Sequence, residues 1–504
     1  MLSLGYDVGS SSIKASIIDI ETGKHVAGDH LPKEEMNISS PHTGFAEQDP
    51  EMWWQYVKEV TKKILRDHRI DGREIKCIGI SYQMHGLVLV DKFHNVLRPS
   101  IIWCDSRSVH IGTDAFHKLG KEYCLEHFLN SPGSFTASTL KWVKENEPAI
   151  FRQAYKMMLP GEFIAMKLTD DIVTTISGLS EGIFWDFKDN SISDHIMSHY
   201  GLKKELLPKV RPTFSIQGSL TSPAAQELGL KEGTPVSYRA GDQPNNAFSL
   251  NVLEPGEVAA TAGTSGVVYG IIDQAHFDPQ SRVNVFAHVN QTRETTRMGA
   301  LLCINGTGIL FSWLRKLINR SLSYEEMNHA ASTIPMGSDG LSVLPFGNGA
   351  ERVLNNLNIG CHFLGLDFNR HTSAHIFRAA QEGIAFSFKY GIDIMKEMGL
   401  EVTVIRAGNT NMFLSPVFSH TLSDITGASI ELYETDGAQG AARGAAVGAG
   451  YYRSVKDAFL SLKKMGEIKP QKETSDPHLF AYRAWLTKLN LFMNACSEIP
   501  SCVI

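Results

Sequence analysis

The chain has 504 residues, of which 43% are hydrophobic and 20% charged, the composition of a folded globular protein. This length exceeds what one hydrophobic core usually supports, so two domains are expected. The formal net charge of −6 argues against nucleic acid or an anionic membrane as the main partner.

No run of about 18 apolar residues occurs, and no basic segment followed by an apolar stretch stands near residue 1. The seven cysteines are scattered and odd in number, and none has the spacing of a zinc site. We therefore expect reduced thiols in a cytoplasmic enzyme with no membrane partner.

A short loop rich in glycine and hydroxyl groups opens the chain. Residues Gly9–Ser12 stand between two β-rich runs, Met1–Tyr6 and Ile13–Ile20, which predicts a hairpin with a tight turn. Turns of this kind form anion-binding nests of backbone N–H groups, and glycine permits close approach of the backbone. The pattern indicates a phosphate-binding loop, although such turns also occur in hairpins that bind nothing.

Two charged residues flank this loop. Asp7 interrupts an otherwise apolar strand end, where a carboxylate is the ligand type that Mg²⁺ prefers, usually through waters. The same residue could instead cap its own turn. Lys14 follows the loop and could reach a phosphate, or it could be an exposed strand residue. The sequence leaves both pairs of alternatives open.

A helix and a strand follow the first hairpin. Asp49 and Pro50 have the residue types preferred at a helix start, and this helix runs through Trp53 and Trp54. Residues Lys76–Gln83 alternate like a strand with one buried face. Met84 and His85 come next. A histidine at a strand end can bond a substrate hydroxyl or carbonyl, or can simply be a satisfied loop residue.

A second polar group precedes the next predicted helix. Trp103, Asp105 and Arg107 combine an aromatic ring, a carboxylate and a guanidinium, which suits a polyol but equally suits a salt-bridged surface turn. The helix that follows is predicted over Phe135–Glu147, where Pro148 stops it.

Asp242 is the candidate general base. It lies before a plausible helix start, so it could be only an N-cap. Its functional interpretation is a carboxylate that accepts the proton of an attacking substrate hydroxyl during phosphoryl transfer. It precedes the second loop by about twenty residues, close enough for both to line one cleft.

The glycine-and-hydroxyl loop occurs a second time, 254 positions after the first. Gly263, Thr264 and Ser265 stand between the β-rich runs Glu257–Ala262 and Val267–Ile272. Three features coincide at this offset: Gly9 with Gly263, Ser11 with Ser265, and an Ile-Ile-Asp triplet that follows each loop. The repeat favours two facing phosphate loops that clamp one polyphosphate.

The second half continues with alternating elements. His375–Met398 is predicted as a long amphipathic helix that leads to a strand over Val402–Arg406 and a Gly-Asn turn. Small residues after Asp436 predict a helix that packs closely and whose N-terminus favours phosphate or nucleotide. The expected architecture is α/β, with two similar lobes, residues 1–249 and 250–504, and a catalytic cleft between them.

Taken together, these motifs resemble the FGGY family of carbohydrate kinases, within the actin and sugar-kinase ATPase superfamily of ribonuclease H-like fold. The similarity covers nearly the whole chain and is greatest to the xylulokinase branch. Its motifs are Gly44–Trp54, Gln83–Gly86, Ile101–Arg107, Phe135–Ala137 with Leu140 and Trp142, Leu159-Pro160, Gly241-Asp242, Ala262–Gly266 and Leu344–Arg352.

The resemblance implies the roles of the site residues. Asp242 would be the catalytic base, and Asp7 would hold Mg²⁺, directly or through water, with the reacting groups. The sugar site would contain Gln83, Met84, His85, Trp103, Asp105 and Gln243. The ATP site would contain Gly9, Ser10, Ser11, Ser12, Lys14, Gly263, Thr264, Ser265, Gly408 and Asn409.

The implied activity is ATP-dependent phosphorylation of the terminal hydroxyl of a ketopentose, D-xylulose first. The alternatives are another sugar or polyol (ribulose, a 6-deoxy-ketohexose, gluconate or erythritol) and a non-catalytic nucleotide-gated binding protein. The chain departs from the family pattern at four places. Gln243 stands where the family usually has Asn, and Ser138 and Thr139 stand where it has Pro-Lys. Asn409 interrupts a run of glycines, and Val353 and Leu354 stand where the family has Thr-Pro. Because of these departures, the sequence does not decide which sugar is the substrate. It also does not decide the oligomeric state, and a homodimer is one possibility.

Overall fold

The computed structural model describes residues 1–497, and two large β-sheets organise this part of the chain. The strands of the first sheet, in spatial order, are Phe214–Ser219, Pro235–Gly241, Ile75–Tyr82, Leu2–Val8, Ile13–Asp19 and His25–Leu31. Those of the second sheet are Asn284–Ala287, Met298–Ile304, Gly266–Ile272, Glu257–Ala262, Val404–Gly408, Ser429–Tyr433 and Lys464–Ile468.

The two sheets share one pairing pattern. In each, the strand before the glycine loop, Leu2–Val8 or Glu257–Ala262, pairs antiparallel with the next strand and parallel with a strand from far along the chain. A second parallel pair and an outer antiparallel strand complete each sheet on that side. The α/β fold with two similar lobes is therefore confirmed.

Helices and short strands fill the connections. The helices are Pro50–Asp67, Val109–Leu119, Lys121–Phe128, Thr136–Asn146, Pro148–Gln153, Pro160–Thr169, Ile176–Glu181, Asp194–Tyr200, Ser222–Leu228, Asp242–Ser249, Gly308–Ile318, Tyr324–Ser332, Ser373–Glu397, Pro416–Thr426, Gly437–Gly448 and Lys472–Ser497. The short strands are Glu47–Gln48, Val88–Val90, Ser100–Ile101, Lys156–Met158, Val173–Thr174, Trp185–Asp186, Ser191–Ile192, Lys209–Val210, Ser342–Phe346 and Gly360–Leu364.

The predicted elements form close to their predicted bounds. Asp49 caps the helix Pro50–Asp67, since its Oδ1 accepts a hydrogen bond from Glu51 N at 3.0 Å. Asp436 caps Gly437–Gly448 in the same way, with Gln439 N as donor at 2.8 Å. The strand predicted over Val402–Arg406 begins two residues later and runs to Gly408.

The glycine-rich helix Gly437–Gly448 packs on the first sheet, although its sequence lies in the second half of the chain. A β-carbon on Gly5 or Gly79, in two central strands, would overlap the main-chain oxygen of Ala438 or Ala441. The helix also presents glycine to the sheet, because a β-carbon on Gly444 would lie 2.5 Å from the Tyr238 ring. Backbone-to-backbone packing of this kind requires glycine on both elements.

The described residues bury four clusters of hydrophobic side chains, and one of these joins the first half of the chain to the second sheet. One cluster of buried side chains includes Met84, Leu140 and Leu250 together with Tyr269 and Leu301 of the second sheet. Within residues 1–497, no helix is both long enough and apolar enough to cross a membrane. Cys77 and Cys124 are buried free thiols, and Cys502 lies outside the described residues.

Candidate active site

Asp242 is the first residue of a helix that begins where the buried strand Pro235–Gly241 ends. Gly241 occupies the N-cap position, so the Asp242 carboxyl group is not the cap that the sequence allowed. Burial and the negative charge of Asp7 raise the pKa of Asp242 to about 7. A carboxylate with this pKa can accept a proton near neutral pH.

Asp7 lies in the central strand of the same sheet, and both of its carboxylate oxygens have partners. Ser81 Oγ, on the parallel neighbour, donates to Oδ1 at 3.0 Å. Lys14 Nζ, on the antiparallel neighbour, lies 3.4 Å from Oδ2. The charge of Asp7 is the main reason that the pKa of Lys14 is raised. Asp7 bonds neighbouring strands rather than capping its own turn, and Lys14 faces the site.

The N-terminus of the helix Gly437–Gly448 reaches the same place. A β-carbon on Gly437 would lie 2.8 Å from Asp7 Oδ2 and 3.1 Å from Asn246 Oδ1. Asn245 Nδ2 donates to the main-chain oxygen of Gly437 at 2.8 Å. The positive end of a helix therefore faces the carboxylate, an arrangement that also favours a phosphate.

The first glycine loop is braced by its neighbours. Gly9 N donates to Ser12 O at 3.1 Å, and Gln48 Nε2 donates to Ser10 O at 2.7 Å. Trp103 Nε1 donates to Ser10 Oγ at 3.2 Å. Within residues 1–497, the backbone N–H groups of the three serines have no hydrogen-bond partner, so they are available to an anion.

The second glycine loop packs on the start of the helix Gly308–Ile318. Gly308 N donates to Gly263 O at 2.8 Å, and Ile309 N donates to Thr264 O at 3.2 Å. A β-carbon on Gly263 would lie 3.4 Å from Asn411 Nδ2, so this loop adjoins the turn at Gly408 and Asn409. In that turn Asn409 N donates to Tyr433 O at 2.9 Å, which ties the turn to the neighbouring strand Ser429–Tyr433.

The sugar-side candidates Gln83, Met84 and His85 follow the strand that carries Ser81. Gln83 is buried, and its Oε1 has no hydrogen-bond partner among residues 1–497. Met84 lies against Gly241, since a β-carbon there would be 2.6 Å from Met84 Cγ. These contacts bring this segment next to Asp242.

His85 has a left-handed backbone with a φ of 64°. Its Nδ1 lies 3.0 Å from the main-chain oxygen of Glu181 and therefore donates to it. Burial lowers the pKa of His85 to about 4, so the ring is neutral at pH 7. Its Nε2 is consequently a hydrogen-bond acceptor.

The three remaining sugar-side candidates, Trp103, Asp105 and Gln243, differ in burial and in hydrogen-bond partners. Trp103 is half exposed over the first loop, whereas Asp105 is buried and accepts hydrogen bonds from Arg107 Nη2 at 2.7 Å and Ala46 N at 2.6 Å. The carboxylate of Asp105 is thus occupied by Arg107 and Ala46 N, and direct contact with a sugar remains a prediction. Gln243 is half buried next to Asp242, where hydrogen bonding from it lowers the pKa of Asp242.

The structure adds residues that sequence reasoning did not place at the site. Arg352, the last residue of the motif Leu344–Arg352, donates from Nη1 to Asn284 Oδ1 at 3.1 Å and stacks 5.2 Å above the Phe135 ring. Its charge also lowers the pKa of His85. Glu181 had only a weak signal, a single acidic residue in an otherwise uncharged stretch from Ile172 to Trp185.

Comparison with known proteins identifies related sequences along most of the chain. The model of the FGGY family of carbohydrate kinases, N-terminal domain, matches residues 2–249, and the C-terminal domain model matches residues 258–452. A xylulose kinase of Escherichia coli strain K12 is 28% identical over 482 residues, which are 94% of each chain.

Solved structures share the fold. A xyloylose kinase from Brucella ovis superposes with a TM-score of 0.89 at 24% identity, over 98% of this chain and 100% of that one. A gluconate kinase from Lactobacillus acidophilus superposes with a TM-score of 0.88 at 22% identity, over 99% of each chain. At these identities the likeness establishes the fold and not the substrate.

Proposed function

Because this chain belongs to the FGGY family of carbohydrate kinases and is an ATP-dependent sugar kinase, we propose that it phosphorylates the terminal hydroxyl of a ketopentose, D-xylulose first. The observation that carries the chemical part of this proposal is Asp242, whose pKa of about 7 suits a general base. The similarity to xylulose kinases over most of the chain supports D-xylulose as the first sugar.

Each site residue has a role in the proposal. The sugar hydroxyl attacks the γ-phosphorus of ATP, the bond from that phosphorus to the bridging oxygen breaks, and Asp242 accepts the hydroxyl proton. Backbone N–H groups of the loops Gly9–Ser12 and Gly263–Ser265 donate to phosphate oxygens. Lys14 and the N-terminus of the helix Gly437–Gly448 add positive potential, which stabilises the negative charge on the phosphoryl group.

Sugar binding is assigned to Gln83, Met84, His85 and Gln243, with Trp103 and Asp105 at the edge of the site. His85 Nε2 would accept a hydrogen bond from a sugar hydroxyl. The turn at Gly408 and Asn409 would lie by the adenosine. In this proposal residues 1–249 provide the sugar site, the first loop and the base, and residues 250–504 provide the second loop and the adenosine site.

The residues present also fit a magnesium ion. Asp7 and Asp242 are carboxylates close enough for the charge of one to raise the pKa of the other, and oxygen is the ligand that Mg²⁺ prefers. We assign Asp7, directly or through water, as the residue that holds it. A bound Mg²⁺ neutralises phosphate charge and screens the repulsion between the two carboxylates.

The choice of sugar depends on side chains next to the reacting hydroxyl. Gln243 is longer than the Asn usual in the family at this position. Thr139 is neutral where the family usually has Lys, and its Oγ1 lies 3.0 Å from Ser108 Oγ. A buried site that reads hydroxyl groups rejects stereoisomers which leave a donor unpaired, so one sugar should be strongly preferred.

The test is a coupled ADP-release assay with Mg-ATP across ketopentoses, 6-deoxy-ketohexoses, gluconate and erythritol. D-xylulose should give the highest kcat/KM, and Asp242→Asn should lower kcat by about 10³-fold with the Kd for ATP unchanged. A different preferred sugar would overturn the D-xylulose assignment alone. A mutant that keeps near wild-type kcat would overturn the base assignment. Light scattering of the same preparation would decide whether the enzyme is a homodimer.

A further inference from the structure

One buried carboxyl group next to the sugar side has no part in the mechanism above. Glu181 is the last residue of the helix Ile176–Glu181 and is 1% exposed. Its Oε2 has no hydrogen-bond partner among residues 1–497. A buried polar atom without a hydrogen-bond partner costs free energy, so it is a feature of the fold that calls for an explanation.

Glu181 lies between the sugar side and the base. A β-carbon on Gly241 would be 2.5 Å from Glu181 Oε2, which places the carboxyl group against the residue that precedes Asp242. Its Oε1 accepts a hydrogen bond from His85 N at 3.4 Å. Its main-chain oxygen accepts one from His85 Nδ1 at 3.0 Å. A single residue thus holds both the backbone and the ring of His85.

His85 needs such support. A left-handed backbone costs free energy for any residue other than glycine and persists where neighbouring groups impose it. The ring is further held by Phe135, at 4.7 Å between centroids, and by Phe286, at 5.4 Å. These rings fix its plane, but only Glu181 and Thr136 hydrogen-bond residue 85 in the part of the chain that the structure describes.

We propose that Glu181 is a positioning residue, whose carboxyl group holds His85 in its left-handed conformation so that Nε2 accepts a hydrogen bond from the sugar. This inference rests on the proposed function, because it assumes that His85 contacts a sugar. Burial raises the pKa of Glu181 well above its usual range, with the charges of Asp242 and Glu162 adding to the effect. The raised pKa means that Glu181 carries less negative charge beside Asp7 and Asp242 than an ordinary carboxylate would.

Two substitutions of similar length test the hydrogen bond. Glu181→Gln keeps an oxygen that can accept from His85 N, whereas Glu181→Met fills the same space without an acceptor. We expect Glu181→Met to raise the KM for the preferred sugar about tenfold with the KM for ATP unchanged, and Glu181→Gln to stay within about threefold of wild type.

A matched control is Glu162→Gln. Glu162 is equally buried at 2% exposed, but its Oε2 accepts from Leu159 N and it does not bond His85. Its substitution should leave the KM for sugar unchanged even where thermal stability falls. In a His85→Ala background, Glu181→Met should have no further effect on the KM for sugar, because the group that it positions is gone.

Either of two kinetic results would overturn the inference: an unchanged KM for sugar in Glu181→Met, or additive effects in the double mutant. A crystal structure of Glu181→Met provides a readout independent of activity, since the φ of His85 should leave the left-handed region. An unchanged φ would equally overturn it. Failure of the proposed function is a separate result, namely no sugar-dependent ADP release by the wild-type enzyme.

Discussion

The two glycine loops come from equivalent hairpins of equivalent sheets, yet they differ in charge. The first joins paired residues Val8 and Ile13 and is flanked by the cross-strand pair Asp7 and Lys14. The second joins Ala262 and Gly266, so it is one residue shorter, and its flanking pair is Thr261 and Val267.

The first loop therefore has a charged pair beside it, whereas Gly263, Thr264 and Ser265 of the second loop offer backbone and hydroxyl groups. Asp7 also raises the pKa of Asp242, so the base and the first loop form one electrostatic unit. A repeated fold thus supplies two similar hairpin loops, and the ionisable pair Asp7 and Lys14 distinguishes the loop that we propose to adjoin the reaction.

The largest expected effect is a loss of kcat on substitution of Asp7, compared with substitution of Thr261, the equivalent residue before the second loop. Asp7→Asn should lower kcat by about 10²- to 10³-fold, because the residue that we propose to hold the metal loses its charge. Thr261→Ala, the matched change at the second loop, should leave kcat within about threefold. Steady-state kinetics at saturating sugar measure both. Equal losses in the two variants would mean that the loops share the charged chemistry.

The pH dependence of the reaction tests the role of the charges beside the first loop. Asp242 must be deprotonated to act as a base, so kcat/KM for the sugar should rise about tenfold per pH unit below its pKa of about 7 and level off above it. His85, with a pKa of about 4, stays neutral over this range. Lys14→Met should move the midpoint upward, because the charge of Lys14 lowers the pKa of Asp242. A flat profile between about pH 5.5 and pH 8 would contradict the base assignment.

A third prediction concerns how the sheets pack. Gly5→Ala should destabilise the protein by about 3 kcal/mol, since its β-carbon would overlap the main-chain oxygen of Ala438, which cannot move alone. Gly270→Ala, in the second sheet, should cost only about 1 kcal/mol, because the nearest atom, at 2.6 Å, belongs to the flexible side chain of Leu400. The midpoints of thermal unfolding give the comparison. A larger loss for Gly270→Ala would mean that the second sheet packs more tightly.

The smallest expected effect lies within the loops themselves. A β-carbon on Gly9 would be 3.1 Å from Ser12 O, a main-chain atom, whereas one on Gly263 would be 3.4 Å from Asn411 Nδ2, an ordinary contact. Gly9→Ala should raise the KM for ATP about fivefold and Gly263→Ala less than twofold. The sugar KM is the internal control and should stay unchanged in both variants. The reverse order would show that the second loop approaches the nucleotide more closely.

Local sequence signals placed the predicted elements to within two residues of their bounds. Asp49 and Pro50 predicted a helix start because capping needs only neighbouring residues, and alternation predicted the strand that ends at Tyr82. The repeat at 254 positions predicted two hairpins, and both formed. The strand at Val404 was misplaced by two residues, since a β-branched run alone does not mark where pairing starts.

The sequence named the candidate site residues, and their roles stay predictions, but it could not show which groups each side chain contacts. Asp105 was a candidate sugar ligand, and only the fold shows that Arg107 and Ala46 N occupy its carboxylate. Glu181 lies 96 residues after His85 along the chain, so no local pattern could pair them. Arg352 meets Phe135 across more than 200 positions in the same way.

The sequence by itself determined the repeated hairpins, the helix caps and the candidate base, because these depend on periodicity and on residues next to one another. The tertiary structure alone decided that a glycine-rich helix from the second half packs on the first sheet, with Gly437 against Asp7. It also decided the pKa of Asp242, which depends on burial and on a charge 235 positions away. Electrostatic interactions depend on distance in space, and folding sets that distance.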